Sequence, residues 1–359
     1  MKIGIIGLPK SGKTTIYNAL TGSSGATDKY IQAHHEAHVG VVEVLDERVT
    51  RLSEIYKPRK TIYAHLEYSD FPALFAVHGE DVSSTTILSE AKTMEGFVLV
   101  LRCFEDNEMD ELYGKADPLA EIRRFEEEML LQDMVIAEKR LEKIELSYKR
   151  GIKTPALQLE EKALHHIIQA LQEGTPIRRL ELSPDEEKAV RGFQFMSQKP
   201  ILALLNCSED NYHSVDSILA ELKQQGYLAE AIAGRFEEEL SRMEKEDAAA
   251  FMEDMGIRES VRDRLTHLCY ELMGYLSFFT VGEDEVRAWT IIRGDNAVTA
   301  AGKIHSDLAR GFIRAECFNY ADLITHGSEK ALREKGLFKL EGKEYLVKDG
   351  DILSIRFNV

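Results

Sequence analysis

The chain has 359 residues, 44% of them hydrophobic and 30% charged, and a formal charge of −17, the composition of a soluble globular protein with two or three domains. The acidic balance argues against non-specific nucleic-acid binding over the whole surface and against a DNA partner. No apolar run is long enough to cross a bilayer and no charged leader precedes the first strand, so the expectation is a cytoplasmic protein without a membrane partner.

The first element is the apolar run Ile3-Gly4-Ile5-Ile6, followed at once by Gly7-Leu8-Pro9-Lys10-Ser11-Gly12-Lys13-Thr14-Thr15. This is a G-x-x-x-x-G-K-T phosphate-binding loop between a buried strand and a helix that carries Ile16, Ala19 and Leu20 at helical spacing. Backbone N–H groups of such a loop surround phosphate oxygens, and the positive end of the helix faces the same anion. Gly7, Lys10, Ser11, Gly12, Lys13, Thr14 and Thr15 are therefore the expected nucleotide-binding residues. Lys13 is expected to reach the β- and γ-phosphates, and Thr14 to bind Mg²⁺.

Further strands are expected at 39–44, 62–68, 96–101 and 200–205, interleaved with helical sequence. This pattern predicts an α/β fold with a doubly wound, mostly parallel sheet and ligands at the carboxyl ends of the strands. From 117 to 198 the sequence is charged and helix-rich, predicting an inserted helical hairpin whose seam carries Leu130, Val135, Ile136, Leu141 and Ile144, with a turn at Gly151 to Pro155. The last 80 or so residues change again to short strands and turns, a separate small α+β domain. From 278 to 359 there are 12 Lys/Arg against 13 Asp/Glu, so the acidic excess belongs to the front of the chain. Cys103, Cys207, Cys269 and Cys317 are far apart and read as buried thiols. Trp289 reads as core of the terminal domain.

Several segments together resemble the YchF family, the Obg-like ATPases, over essentially the full length. Gly7 to Thr21 is similar to that family's G-L-P-N-V-G-K-S-T-L-F-N-A-L-T, and Leu101-Arg102-Cys103-Phe104-Glu105-Asp106 to its V-R-C-F-E-N segment. The carboxyl third carries the densest resemblance, through Phe279-Thr280-Val281-Gly282, Ala301-Gly302-Lys303-Ile304-His305-Ser306-Asp307, Gly311-Phe312-Ile313-Arg314-Ala315-Glu316 and Arg356-Phe357-Asn358-Val359. The resemblance implies a discontinuous P-loop GTPase-like domain (1–116 with 199–277), an inserted helical or coiled-coil arm (117–198), and a β-grasp TGS domain (278–359) that associates with the ribosome or rRNA.

Base choice is expected at the end of the strand 200–205, which runs into Asn206-Cys207-Ser208-Glu209. This N-x-x-E differs from the N-K-x-D of GTPases by loss of Lys and a longer acid, which spoils the geometry for guanine. The same alteration in the family is associated with ATP. Asn206, Glu209, Ala233 and Gly234 are the expected base-side residues, with ATP favoured over GTP.

The switch regions depart from the family pattern. Its D-I-A-G reads Asp70-Phe71-Pro72-Ala73 here, keeping the carboxylate expected to support Mg²⁺ while replacing the Gly with Ala73 and stiffening the loop at Pro72. Its Gly-rich continuation is replaced by 77–86, its switch-one Thr aligns with His34, and a family His is replaced by Leu99. Leu74 follows the switch position where many GTPases carry a water-positioning Gln, and no side-chain base is evident. The expectation is nucleotide binding with Lys13 stabilising transition-state charge but slow or impaired hydrolysis; a non-hydrolysing interaction protein and a true GTPase are the alternatives. His34, His35, Glu36 and His38, with His78, read as a solvated loop, with a Zn²⁺ site as the alternative.

Overall fold

The computed structural model describes residues 1–22, 38–75, 85–254 and 259–358. The chain forms two compact units, 1–40 with 67–261 and 41–66 with 262–359.

The first seven strands in chain order are β1 (Lys2–Gly7), β2 (His38–Val44), β3 (Lys60–Ile62), β4 (Ala64–Asp70), β5 (Gly96–Cys103), β6 (Ile201–Cys207) and β7 (Leu228–Ile232). All but β3 pair in the order β2-β4-β1-β5-β6-β7. β1 is parallel to β4 and to β5, β5 to β6, and β6 to β7. Ile3, Ile5 and Ile6 of β1 and Val98, Leu99, Val100 and Leu101 of β5 are completely buried. Strands covered on both faces need such continuous apolar runs rather than alternation. The parallel arrangement brings the carboxyl ends of β1, β5 and β6, at Gly7, Cys103 and Cys207, to one edge of the sheet, where the phosphate loop begins.

The helices that follow in the chain are α1 (Lys13–Thr21), α2 (Glu47–Tyr56), α3 (Thr85–Lys92), α4 (Asn107–Tyr113), α5 (Pro118–Lys149) and α6 (Pro155–Gln172). α5 and α6 form the arm. Each starts with a capping side chain, Asp117 or Thr154, followed by proline at the first helical position, where the missing N–H costs nothing. Leu130, Ala137 and Ile144 of α5 pack with Ala163, Leu164, Ile167 and Leu171 of α6. Ile136 and Leu141 lie half-buried against this core. Val135, expected in the seam, is 46% exposed. Five residues beyond Leu130 the helix has turned roughly 140° off the stripe, whereas seven residues return to it, so Ala137 occupies the contact.

The second unit is built on β8 (Tyr275–Val281), β9 (Glu285–Ile292), β10 (Phe312–Asn319), β11 (Lys339–Glu341) and β12 (Asp351–Phe357), in the order β11-β10-β12-β8-β9-β3. β8 and β9 are antiparallel and β12 runs parallel to β8. Helix Ala297–Ile304 lies on this sheet through Ala297, Ala300 and Ala301, packed with Phe278, Ile291 and Leu353, the β-grasp form. Trp289 is half-buried against the same core and its indole N–H donates to Thr280 Oγ1 at 3.0 Å.

The single strand expected at 62–68 is two strands. β3 ends at Ile62 and pairs in parallel with Glu285–Arg287 of β9, while β4 begins at Ala64 in the other sheet. By compactness, residues 41–66 group with the terminal unit. Arg48 of α2 ion-pairs with Asp349 at 2.5 Å and stacks over the Phe279 ring at 5.1 Å, and Tyr56 donates to Glu329 at 2.8 Å. All four cysteines are free and buried. Among the described residues no helix is long and apolar enough to cross a membrane.

Candidate nucleotide site

Gly7 closes β1 and the loop after it turns back through Ser11 N–H, which donates to Leu8 O at 3.3 Å. Gly12 caps α1 in the left-handed region, φ 94°, and a Cβ there would lie 2.0 Å from Asn206 Nδ2. Only glycine satisfies both the backbone angle and the close approach. α1 therefore starts without a side-chain cap, leaving its first N–H groups directed at the loop, as an anion site requires.

Lys13 is buried and its ammonium donates to the carbonyls of Leu8 at 2.7 Å and Gly7 at 3.2 Å. Burial pulls its pKa down to about 8, against the pull of Asp70 and Glu121. Thr14 Oγ1 donates to Asp70 Oδ2 at 2.8 Å. Burial pushes the Asp70 carboxyl up, opposed by the Thr14 hydrogen bond, Lys13 and His38. Two polar atoms in this cradle, Ser11 Oγ and Asp70 Oδ1, are buried with no hydrogen-bond partner among the described residues. Buried polar atoms in native folds are almost always satisfied, so this pair is open to a further partner. Thr15 is half-buried on the first turn of α1, and Lys10 is exposed and paired with Glu108 at 2.8 Å.

On the base side, Asn206 is buried at the end of β6. Its Nδ2 donates to Ser11 O at 2.9 Å and its Oδ1 accepts from Gly234 N–H at 3.2 Å. A Cβ on Gly234 would come within 2.5 Å of that Oδ1, so glycine is needed for the contact. Ala233 precedes it as the cap residue of helix Gly234–Ser241. Glu209 lies exposed in the turn after β6, separated from the buried amide of Asn206. The structure thus gathers Gly7, Ser11, Gly12, Lys13, Thr14, Asp70, Asn206 and Gly234 around one loop and leaves Lys10 and Glu209 at its rim.

Three supporting residues had no role assigned from sequence. Glu121, in the first turn of α5, accepts from Arg102 N–H at 3.3 Å, and burial pushes it up to about 7. Arg102 is itself buried and pairs with Asp110 at 2.7 Å. Glu238 is buried and accepts from Asn18 of α1 at 2.7 Å and from Arg242 at 2.7 Å. Glu121 lies 19 residues from Arg102 and Glu238 lies 220 from Asn18, so these pairings leave no local pattern in the sequence.

In the switch segment, Leu74 is 0% exposed and belongs to the core with Phe71 and Phe75, so its side chain cannot hold a water. Leu99 is likewise in the core. His34, His35, Glu36 and His78, with most of 77–86, lie outside the described residues. His38 opens β2, and among the described residues no group of three or more His, Cys, Asp or Glu side chains could hold a metal ion.

Comparison with known proteins adds three findings. The family YchF-GTPase_C, described as "Protein of unknown function (DUF933)", matches residues 275–358. The chain is 36% identical to the ribosome-binding ATPase YchF of Bacillus subtilis over 99% of both chains, and 32% identical to that of Escherichia coli O157:H7 over 100% of this chain and 99% of the other. The structure of the Schizosaccharomyces pombe YchF GTPase superposes with a TM-score of 0.83 at 29% identity, covering 99% of this chain and 97% of that one.

Proposed function

Because the chain belongs to the YchF family, we propose that it is an ATP-binding protein that associates with the ribosome. The observation that carries the nucleotide reading is the set Lys13, Thr14 and Asp70. A buried ammonium that donates to two loop carbonyls stands beside a hydroxyl bonded to a buried carboxylate, the parts that bind triphosphate and its metal in P-loop proteins. The orphaned Asp70 Oδ1 beside the Thr14 hydroxyl suits a hard, oxygen-seeking cation. Thr14 and Asp70 would hold Mg²⁺, which supplies positive charge at the β- and γ-phosphate oxygens.

The nucleotide-binding residues in this reading are Gly7, Lys10, Ser11, Gly12, Lys13, Thr14 and Thr15, with Asn206, Glu209, Ala233 and Gly234 on the base side. Asn206 Oδ1 and one Nδ2 hydrogen are taken by backbone, which leaves one amide hydrogen for a base. Glu209 in place of a shorter Asp favours ATP over GTP. Hydrolysis is slow in this reading, because Ala73 replaces the switch glycine and Leu74 is committed to the core. The segment 117–198 is an arm inserted in the nucleotide domain, and 278–359 is the ribosome-facing domain of a cytoplasmic protein. The names of the relatives support the ATP and ribosome assignments.

The test is calorimetric titration of nucleotide-stripped protein with ATP and GTP in Mg²⁺ buffer, with Lys13→Ala as the blank, followed by co-sedimentation of the full chain with ribosomes. Tighter ATP than GTP binding and ribosome pelleting are expected. Absence of nucleotide binding above the blank would move the function to the arm and terminal domain.

A further inference from the structure

Lys10 stands out within the phosphate loop. It is one of three non-glycine residues with positive φ among those described, at 55°; the other two, Lys57 and Gln194, sit at helix ends where such angles are common. Lys10 ends no helix. An L-residue held in the left-handed region inside a ligand loop is the kind of outlier that accompanies function. The family segment similar to residues 7–21 carries Asn at this place.

The side chain is exposed, and its ammonium meets Glu108 Oε1 of α4 at 2.8 Å, with both partners more than half exposed. An exposed pair of single charges is weak and easily exchanged. A terminal phosphate arriving at the loop presents more than one negative charge and several acceptor oxygens, which outcompetes a lone carboxylate for the same ammonium. Lys13 approaches the loop from the helix side and is satisfied by the Gly7 and Leu8 carbonyls, whereas Lys10 stands on the outer rim.

We propose that Lys10 is a side-chain ligand for the terminal phosphate of bound ATP, and that Glu108 holds it when that phosphate is absent. The proposal rests on the ATP-binding reading above. ATP draws Lys10 off Glu108, while ADP leaves the pair closed. Discrimination between the two nucleotides is thereby assigned to a side chain that the loop motif does not specify.

The test is calorimetry of the full chain with ATP and with ADP in Mg²⁺ buffer, comparing wild type, Lys10→Ala, Lys10→Arg, Glu108→Gln and the Lys13→Ala blank. Lys10→Ala keeps a side chain with the same backbone preference, so the loop geometry is retained. Lys10→Ala is expected to weaken ATP roughly tenfold with ADP unchanged, and Lys10→Arg to restore ATP binding. Glu108→Gln, which removes the competitor, is expected to tighten ATP by about threefold. The opposite signs separate an exchange from a structural pair, which both variants would disturb alike. Equal losses for ATP and ADP in Lys10→Ala, no loss for either, or a Glu108→Gln variant that weakens ATP would overturn the proposal while nucleotide binding stands. Wild type binding neither nucleotide above the blank would overturn both readings together.

Discussion

Asn206 donates through Nδ2 to the backbone carbonyl of Ser11 at 2.9 Å, joining the end of β6 to the phosphate loop 195 residues earlier in the chain. Its other amide atom accepts from Gly234, so one side chain sets the spacing between the phosphate and base sides.

Asn206→Ala leaves the Ser11 carbonyl and the Gly234 N–H without this partner in a buried place, a cost of about 1–3 kcal/mol. Urea unfolding of the nucleotide-free protein is expected to show that loss, and calorimetry a weaker ATP affinity. An unchanged unfolding midpoint would argue that the amide clamps nothing.

Lys13 makes stability depend on pH in a defined direction. Burial holds its pKa near about 8 in the fold, below its ordinary 10.5, so the unfolded chain carries the extra proton between those values and stability rises with pH across that window. Lys199, also drawn down to about 8 by burial, adds a slope of the same sign. Lys13→Met should flatten the Lys13 share, stabilise the nucleotide-free protein below pH 8 by roughly 1–3 kcal/mol, and abolish ATP binding. Unfolding series at pH 7 and pH 10 on both proteins check it; a variant that is less stable at pH 7 contradicts the reading.

Asp70→Asn is expected to remove the part of ATP affinity that depends on Mg²⁺, a loss of roughly tenfold or more. In the wild type that part should fade as pH drops, because burial raises the Asp70 carboxyl pKa and a proton then competes with the metal. Titrations with Mg²⁺ and with a chelator from pH 5 to 8 measure it. A Mg²⁺ increment that survives Asp70→Asn would assign the metal to other ligands.

The arm offers a contrast two residues apart. Ala137→Asp would bury an unpaired charge between α5 and α6, at a cost of more than about 3 kcal/mol. Val135→Asp places the same charge on an exposed face and should change stability by less than about 0.5 kcal/mol. Thermal unfolding of the two variants side by side decides between the observed seam and one running through Val135.

The phosphate loop and the parallel sheet were legible because each rests on local pattern, a motif of fixed spacing and continuous apolar runs; alternation broken by turns gave a small α+β terminal domain, and its β-grasp form came from the family resemblance. The position of Glu209 was less legible. Residue type and spacing placed it near the base, but whether it faces the loop or solvent depends on the turn after β6, which carries no hydrophobic period. The supporting charges Arg102, Glu121 and Glu238 were invisible as a group, since whether a charged side chain is buried is decided by tertiary packing and not by residue type or spacing.

The sequence by itself determined which residues can bind phosphate and which stretches must be buried, because those follow from side-chain chemistry and from the periods of helix and strand. It could not determine partition. The run from Ile62 to Tyr68 has the pattern of one strand, yet Ile62 pairs with Arg287 in the terminal sheet while Tyr68 pairs with Ile3 in the nucleotide sheet. β-branched and alternating residues satisfy either sheet equally. Only tertiary pairing, β3 with β9 and β4 with β1, decided where the run divides.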